Sequence, residues 1–492
     1  MLGKWGPSPF LVLAGAATVL GFSPFDFLPA ALLGYALLIY AWMRAPNWRA
    51  SALAGFWFGL GLFGAGVSWV YVSIHRFGGM PAPLAAFATL AFCAFLALFP
   101  ALAGALQARV RSSAATRAVL VIPACWTLIE WIRSWILTGF PWLTAGYAAI
   151  DSPLAGFAPI GGVYLLSLAT LASAGLLCCV AARQGRWIAA GLFVALGAVG
   201  AALKGIAWSE PAGPALTASL LQGNIPQDLK FDPARYARTL DTYARLAEQS
   251  RGRLIVLPET AAPRFLDQVE PEFLKKLESI ARRNDGDVLL GVPLRTGPRT
   301  YFNSVISLGA SPLQKYDKTH LVPFGEFIPT GFRWINSILA FPLSDFSRGD
   351  PKPAPLRVAG ERVAVNICYE DVFGAEIARQ LPEATLLVNV SNVAWFGDSL
   401  APRQHLQIAR MRTLETGRML LAATNSGMTA AIATDARVIA ELPQFAEGKL
   451  EVSAQGYKGV TPYVRFGDWL ALGASALLIA LAALLARRAS SG

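Results

Sequence analysis

Hydrophobic residues come first in long unbroken blocks, then in short alternating runs, then in one more long block. A bilayer core of ~30 Å asks for about 17–25 apolar residues in a helix. Seven blocks near that length precede residue 210, at 8–23, 26–43, 51–73, 83–107, 118–137, 154–182 and 187–207, and an eighth covers 468–486. The pattern predicts a polytopic α-helical membrane bundle of eight transmembrane helices. Lys4 precedes the first block as in a secretory signal, but no A-x-A-like site follows and the next block begins at once, so a retained helix is expected.

Between 216 and 460 the runs shorten and are punctuated by Gly, Pro and Asn. Strands are predicted at 216–222, 253–257, 287–292, 302–308, 363–368, 385–390, 419–424 and 429–434. Helices fit between them at 233–251, 271–284, 374–380 and 402–417; in the last, Leu406, Ala409, Arg410 and Thr413 recur at helical spacing. Strands alternating with helices predict a layered α/β domain. The expected organisation is a seven-helix membrane domain over 1–209, an α/β domain over 210–465, and an eighth helix with a tail over 466–492.

Composition supports the membrane reading: of 492 residues 54% are hydrophobic and 15% charged, well below the roughly one quarter charged in soluble domains. Lys and Arg in short loops stay cytoplasmic. Lys4, Arg44, Arg49, Arg109, Arg111, Arg117, Arg183, Arg186, Arg487 and Arg488 fall on one side of an eight-span count, whereas the opposite short loops offer Arg76 and little else. Both termini are thus expected in the cytoplasm and the α/β domain outside. This bias largely accounts for the formal charge of +11, and no basic-aromatic pattern suggests nucleic acid.

Cys93, Cys125, Cys178 and Cys179 lie in apolar blocks, where a free cysteine behaves as a small hydrophobe. Cys368 stands alone in the α/β domain, in an oxidising setting where thiols usually pair, so it is either inert or kept free for chemistry. Three predicted strand ends deliver an ionisable group: Glu259 after IVLP, Lys318 in QKYDKTH, and Cys368 in VAVNICYED. Such ends are where α/β folds place reactive groups. A thiol needs a base, which Glu259 could supply, and a lysine could favour the thiolate and then an oxyanion. Read singly, each has an ordinary alternative: a structural cysteine, a solvated turn carboxylate, a surface lysine. His75 sits at a block boundary and leaves only His320 and His405 for a Cys–His arrangement. No metal or other cofactor is expected, because three scattered histidines and no C-x-x-C pair supply no ligand set.

Together these segments resemble the apolipoprotein N-acyltransferase family, a membrane branch of the carbon–nitrogen hydrolase (nitrilase) superfamily. The resemblance rests on LPET, YDKTHLVPFGEFIP and NICYE, and on LFGAGVSWVYVSIHRFGGMP, EWIRSWILTGFPWLTAGY, LLQGNIPQDLKF, WFGDS and RMRTLETGR. It implies an extracytoplasmic α/β nitrilase-like α-β-β-α sandwich carried by an eight-helix bundle in the bacterial inner membrane. It implies Glu259 as general base, Cys368 as nucleophile, and Lys318, with the N–H after Cys368, as oxyanion stabiliser. Glu326, Tyr369 and Glu370 match supporting positions expected to hold the triad loops by hydrogen bonds. Phe231, Trp334, Phe341, Trp395 and Phe396 are the expected substrate-binding residues. The implied donor is a membrane phospholipid such as phosphatidylethanolamine, the implied acceptor a diacylated apolipoprotein, and the intermediate a thioester.

Two positions depart from the family pattern: Phe231 stands where tryptophan is common, and Val393 where an aspartate is usual, removing a carboxylate near the expected rim. The aromatic run 332–347 predicts a lid admitting acyl chains, with Trp334, Ile338, Leu339 and Phe341 toward lipid. Glu130 and Arg133, three apart in one block, predict a neutralising pair, and Gly59, Gly61 and Gly64 predict close helix packing. Two rivals follow: a membrane-tethered amidase using water as acceptor, and a transporter or scaffold with a dead hydrolase domain, whose spans should then hold a polar pathway.

Overall fold

The computed structural model describes residues 8–329 and 345–491. They form two compact units, one of residues up to 71, 82–207 and 465 onward, the other of 72–81 and 208–464.

In the first unit the eight blocks carry the helices Pro9–Thr18, Leu28–Arg44, Trp48–Gly66, Ala82–Gln107, Ile122–Arg133, Ala158–Ala181, Arg186–Lys204 and Trp469–Ser491. Among the described residues, five stretches are long and apolar enough to cross a membrane: Ala82–Gln107, Ala114–Arg133, Pro153–Ala181, Arg186–Lys204 and Trp469–Arg488. Trp48–Gly66 joins them only together with Val70–Phe77, and Pro9–Gly21 and Leu28–Arg44 are shorter apolar helices. The first shortens because Ser23-Pro24 follows it closely, and a residue before proline is pushed out of the helical region.

Gly59 lets its helix approach Ala97, and Gly61 lets it approach the Val12 carbonyl, as small-residue packing predicts; Gly64 faces open space. Glu130 and Arg133 are both buried and 4.0 Å apart. Their shorter contacts are to backbone. Arg133 donates to the carbonyls of Phe140 at 2.7 Å and Trp142 at 2.6 Å, and Glu130 accepts the Ala145 N–H at 2.8 Å. The predicted pair exists, but its main work is to satisfy an irregular loop, as buried charges must be satisfied.

In the second unit twelve strands build two six-stranded sheets. They are β1 Leu216–Gln222, β2 Leu254–Val256, β3 Asp287–Gly297, β4 Thr300–Gly309, β5 Lys315–Asp317, β6 Leu356–Val358, β7 Glu361–Ile367, β8 Leu386–Ser391, β9 Leu420–Thr424, β10 Ala430–Ile432, β11 Val438–Glu441 and β12 Gly448–Ala454. One sheet runs β12-β1-β2-β3-β4-β5 and the other β11-β10-β9-β8-β7-β6. Each has a parallel centre, β1-β2-β3 and β7-β8-β9, flanked by antiparallel strands. Ser209–Pro211 and Tyr457–Gly459 pair as a separate ribbon.

Period-two alternation sets the layers. Leu220, Leu254 and Val256 of one sheet meet Val365, Ile367, Val388 and Val390 of the other in a shared core. The intervening Leu221, Ile255 and Leu257 face the helices α1 Pro233–Glu248 and α2 Pro271–Arg283. On the far side Ala364, Leu387 and Leu420 meet Leu406 and Ala409 of α3 Ala401–Thr416. This is the expected α-β-β-α sandwich. The helix α1 starts at Asp232, whose carboxylate accepts the Ala234 N–H at 2.9 Å, with Pro233 at the first position.

Candidate active site

Parallel strands in a sheet deliver their carboxyl ends to one side, where α/β folds bind ligands. Glu259 follows β2, Lys318 follows β5 directly and Cys368 follows β7 directly. Gly291 on β3 permits the Glu259 turn, because a side chain there would collide with the Pro258 carbonyl.

Lys318 Nζ lies 3.6 Å from Glu259 Oε1 and 2.9 Å from Glu326 Oε1, with the lysine side chain only 1% exposed. Asn303 Nδ2 donates to Glu259 at 2.7 Å and to Glu326 at 2.8 Å, holding the two carboxylates apart on one amide. Glu259 Oε2 accepts the Asn392 N–H at 2.9 Å, and Glu326 Oε2 accepts the Val322 N–H at 2.8 Å. Lys230, buried, donates to the Glu259 carbonyl at 2.9 Å.

Cys368 is half-buried and adopts φ of 54°, in the left-handed region. Burial pushes its thiol well above the usual range, Glu259 adds to that, and Lys318 acts against it. The resting group is therefore a thiol, and it becomes a nucleophile only as its proton leaves. Burial pulls Lys318 down, yet Glu326 and Glu259 overturn that and hold its ammonium above the ordinary lysine value. The site thus brings together a cation, a neighbouring carboxylate and a protonated sulfur, groups whose chemistry suits an oxyanion partner, a proton acceptor and a nucleophile respectively.

Glu370 is buried and tightly satisfied. Its carboxylate accepts from the Thr319 N–H at 2.7 Å, the Thr319 hydroxyl at 2.9 Å, the His320 N–H at 3.0 Å, the Tyr316 hydroxyl at 2.8 Å and the Ile367 N–H at 2.7 Å. It ties the loop after Lys318 to the strand before Cys368. The half-buried Tyr369 packs its ring on Phe373 at 5.2 Å between centroids.

Phe231, Trp395 and Phe396 are each partly exposed. The Trp395 ring meets Phe77 at 5.9 Å, and its carbonyl accepts from Ser73 at 2.8 Å, so the short helical segment 72–81 packs on this loop. Val393 follows Asn392, is buried and packs beside Gly427. Of the run 332–347 read as a lid, residues up to 344, including Trp334, Ile338, Leu339 and Phe341, lie outside the described residues. His320 stacks on Phe373 at 3.6 Å between centroids, and His75 Nδ1 is 2.7 Å from the Met80 carbonyl.

Sequence reasoning missed Asn303, Asn392 and the inward role of Lys230. The asparagines contact residues 44 and 133 positions away, and nothing local marks them. Lys230 had one signal, a lysine within the apolar, turn-rich GNIPQDLKF.

Two family models match the chain: the apolipoprotein N-acyltransferase N-terminal domain over residues 14–176 and carbon–nitrogen hydrolase over residues 217–456. An apolipoprotein N-acyltransferase of Nitrosomonas europaea is 50% identical over 484 residues, covering 96% of this chain and 97% of that one. One from Ralstonia nicotianae is 44% identical, covering 99% and 94%, and one from Pseudomonas aeruginosa is 40% identical, covering 98% and 96%. With relatives this similar over nearly its whole length, the chain belongs to the apolipoprotein N-acyltransferase family.

Proposed function

We propose that this chain moves an acyl group from a membrane phospholipid, with phosphatidylethanolamine the expected donor, to the α-amine of a diacylglyceryl-cysteine at an apolipoprotein N-terminus. Glu259 takes the Cys368 proton as sulfur adds to the ester carbonyl, and Lys318, with the Tyr369 N–H, receives the oxyanion. The carbon–oxygen bond breaks, Glu259 returns the proton to the leaving glyceryl oxygen, and lysophospholipid departs from a thioester. The acceptor amine then adds to that carbonyl, Glu259 takes its proton, the carbon–sulfur bond breaks, and the proton returns to sulfur. Ester to thioester to amide ends on the most stable acyl derivative, so the transfer needs no ATP.

The observation that carries this reading is the meeting of three strand ends: a buried lysine 3.6 Å from Glu259, and a thiol whose proton affinity responds to both. Phe231, Trp395 and Phe396 are proposed to touch substrate, with Trp334 and Phe341 of the lid. The same reading takes 1–209 as a seven-helix membrane domain, 210–465 as a periplasmic catalytic domain and 466–492 as the eighth span with a cytoplasmic tail. The one-sided Lys and Arg distribution supports both termini in the cytoplasm and the bundle in the inner membrane.

The test is product analysis with phosphatidylethanolamine and a diacylglyceryl-cysteine peptide. Lysophospholipid and N-acylated peptide should form in equal amounts. Free fatty acid in place of acylated peptide would mean that water is the acceptor and overturn the reading.

A further inference from the structure

A buried pair behind the nucleophile has no part in the scheme above. Asp371, three residues after Cys368, is 0% exposed, and His405 on α3 is 6% exposed. His405 Nε2 lies 2.9 Å from Asp371 Oδ1 and 3.2 Å from the carbonyl oxygen of Cys368. The same carbonyl accepts Asn389 Nδ2 at 3.2 Å. A cysteine in the left-handed region is strained, and such a residue persists only where its surroundings fix it. Here an amide from β8 and an imidazole from α3 grip the carbonyl that sets the turn.

We propose that His405, anchored by Asp371, is a positioning residue for Cys368: it holds the nucleophile's carbonyl and so fixes the turn that presents the sulfur and the following N–H to substrate. The role requires the proton on Nε2, since both neighbours of that nitrogen are acceptors. Burial pulls the imidazole down, but Asp371 and the Cys368 carbonyl, with Glu259 at longer range, hold it above the ordinary histidine value. The two acceptors flanking Nε2 thus favour a proton on that nitrogen. Substrate need never touch it; its effect passes through the placement of sulfur, where a displacement of about 1 Å can cost about 10²-fold in rate.

The inference rests on Cys368 being the nucleophile, so the experiment reads both. Full-length protein in detergent micelles is mixed with phosphatidylethanolamine, and the rate of the hydroxylamine-labile acyl adduct is followed by intact mass. His405→Ala should slow adduct formation about 10²-fold with KM for phospholipid unchanged, the mark of a loss in the chemical step. His405→Gln keeps an amide donor and should recover most of the rate; Asp371→Asn should slow it less than His405→Ala. A wild-type adduct rate in His405→Ala, or a folded His405→Gln no faster than His405→Ala, overturns the proposal. If His405→Ala does not fold, Asp371→Asn decides: an unchanged rate overturns it and a slowed rate supports it. If the unmutated protein forms no adduct, the Cys368 reading itself is what fails.

Discussion

Glu326 accepts a 2.9 Å charge-assisted hydrogen bond from Lys318, which it holds more closely than Glu259 does. Glu326→Gln keeps the shape but removes a countercharge from a buried ammonium, letting Lys318 swing toward Glu259 and compete for the proton acceptor. Acyl transfer should fall by about 10²-fold while the chain still folds. Steady-state rates alongside thermal unfolding check this; an unchanged kcat would contradict it.

Lys230 gives a pH signature. Burial, only partly offset by Glu259 and Cys368, takes its pKa down from 10.5 to about 8. Because the folded value is the lower one, the folded chain sheds this proton first, so the unfolded chain binds more protons between pH 8 and the unfolded lysine value. Stability from this group therefore rises with pH across that window, and below about pH 8 the cost of burying the charge stands in full. Unfolding of wild type and Lys230→Met, compared from pH 7 to 10, should differ increasingly in favour of wild type, by up to about 3 kcal/mol. A pH-independent difference would contradict this.

Arg412 and Glu415 belong to stability. They are 1% and 0% exposed, 2.9 Å apart on α3, and Arg412 also donates to the Val372 carbonyl at 3.3 Å. Removing one partner of such a pair strands the other charge, so Glu415→Ala should cost about 3–5 kcal/mol. Denaturant midpoints measure this, and the folded fraction should retain its acyl-transfer rate.

The inner strands β2, β7 and β8 were legible because they are rich in β-branched apolar residues and buried on both faces. Edge strands were not. Within β12, GKLEVSA interleaves the charged Lys449 and Glu451 with only two large apolar residues, Leu450 and Val452, and β5 has only three residues, Lys315–Asp317. Their pairing comes from neighbours elsewhere in the chain. Glu259 and Cys368 stood out because each follows such an inner strand, whereas Lys318 follows the short β5, and the grip of His405 on Cys368 spans 37 positions and exists only once α3 packs on its sheet. The span reading ran from 51 to 73 without a stop, but helix Trp48–Gly66 ends where GAGVSW departs from helical geometry at Val67. Apolar composition alone did not reveal that break.

The central claim is that Cys368 carries the acyl group. Purified protein incubated with phospholipid, without acceptor, should gain the mass of one acyl chain, lose it to hydroxylamine, and gain none as Cys368→Ser. An unmutated protein that binds phospholipid yet never gains that mass, or a Cys368→Ser variant that gains it equally, would contradict the account.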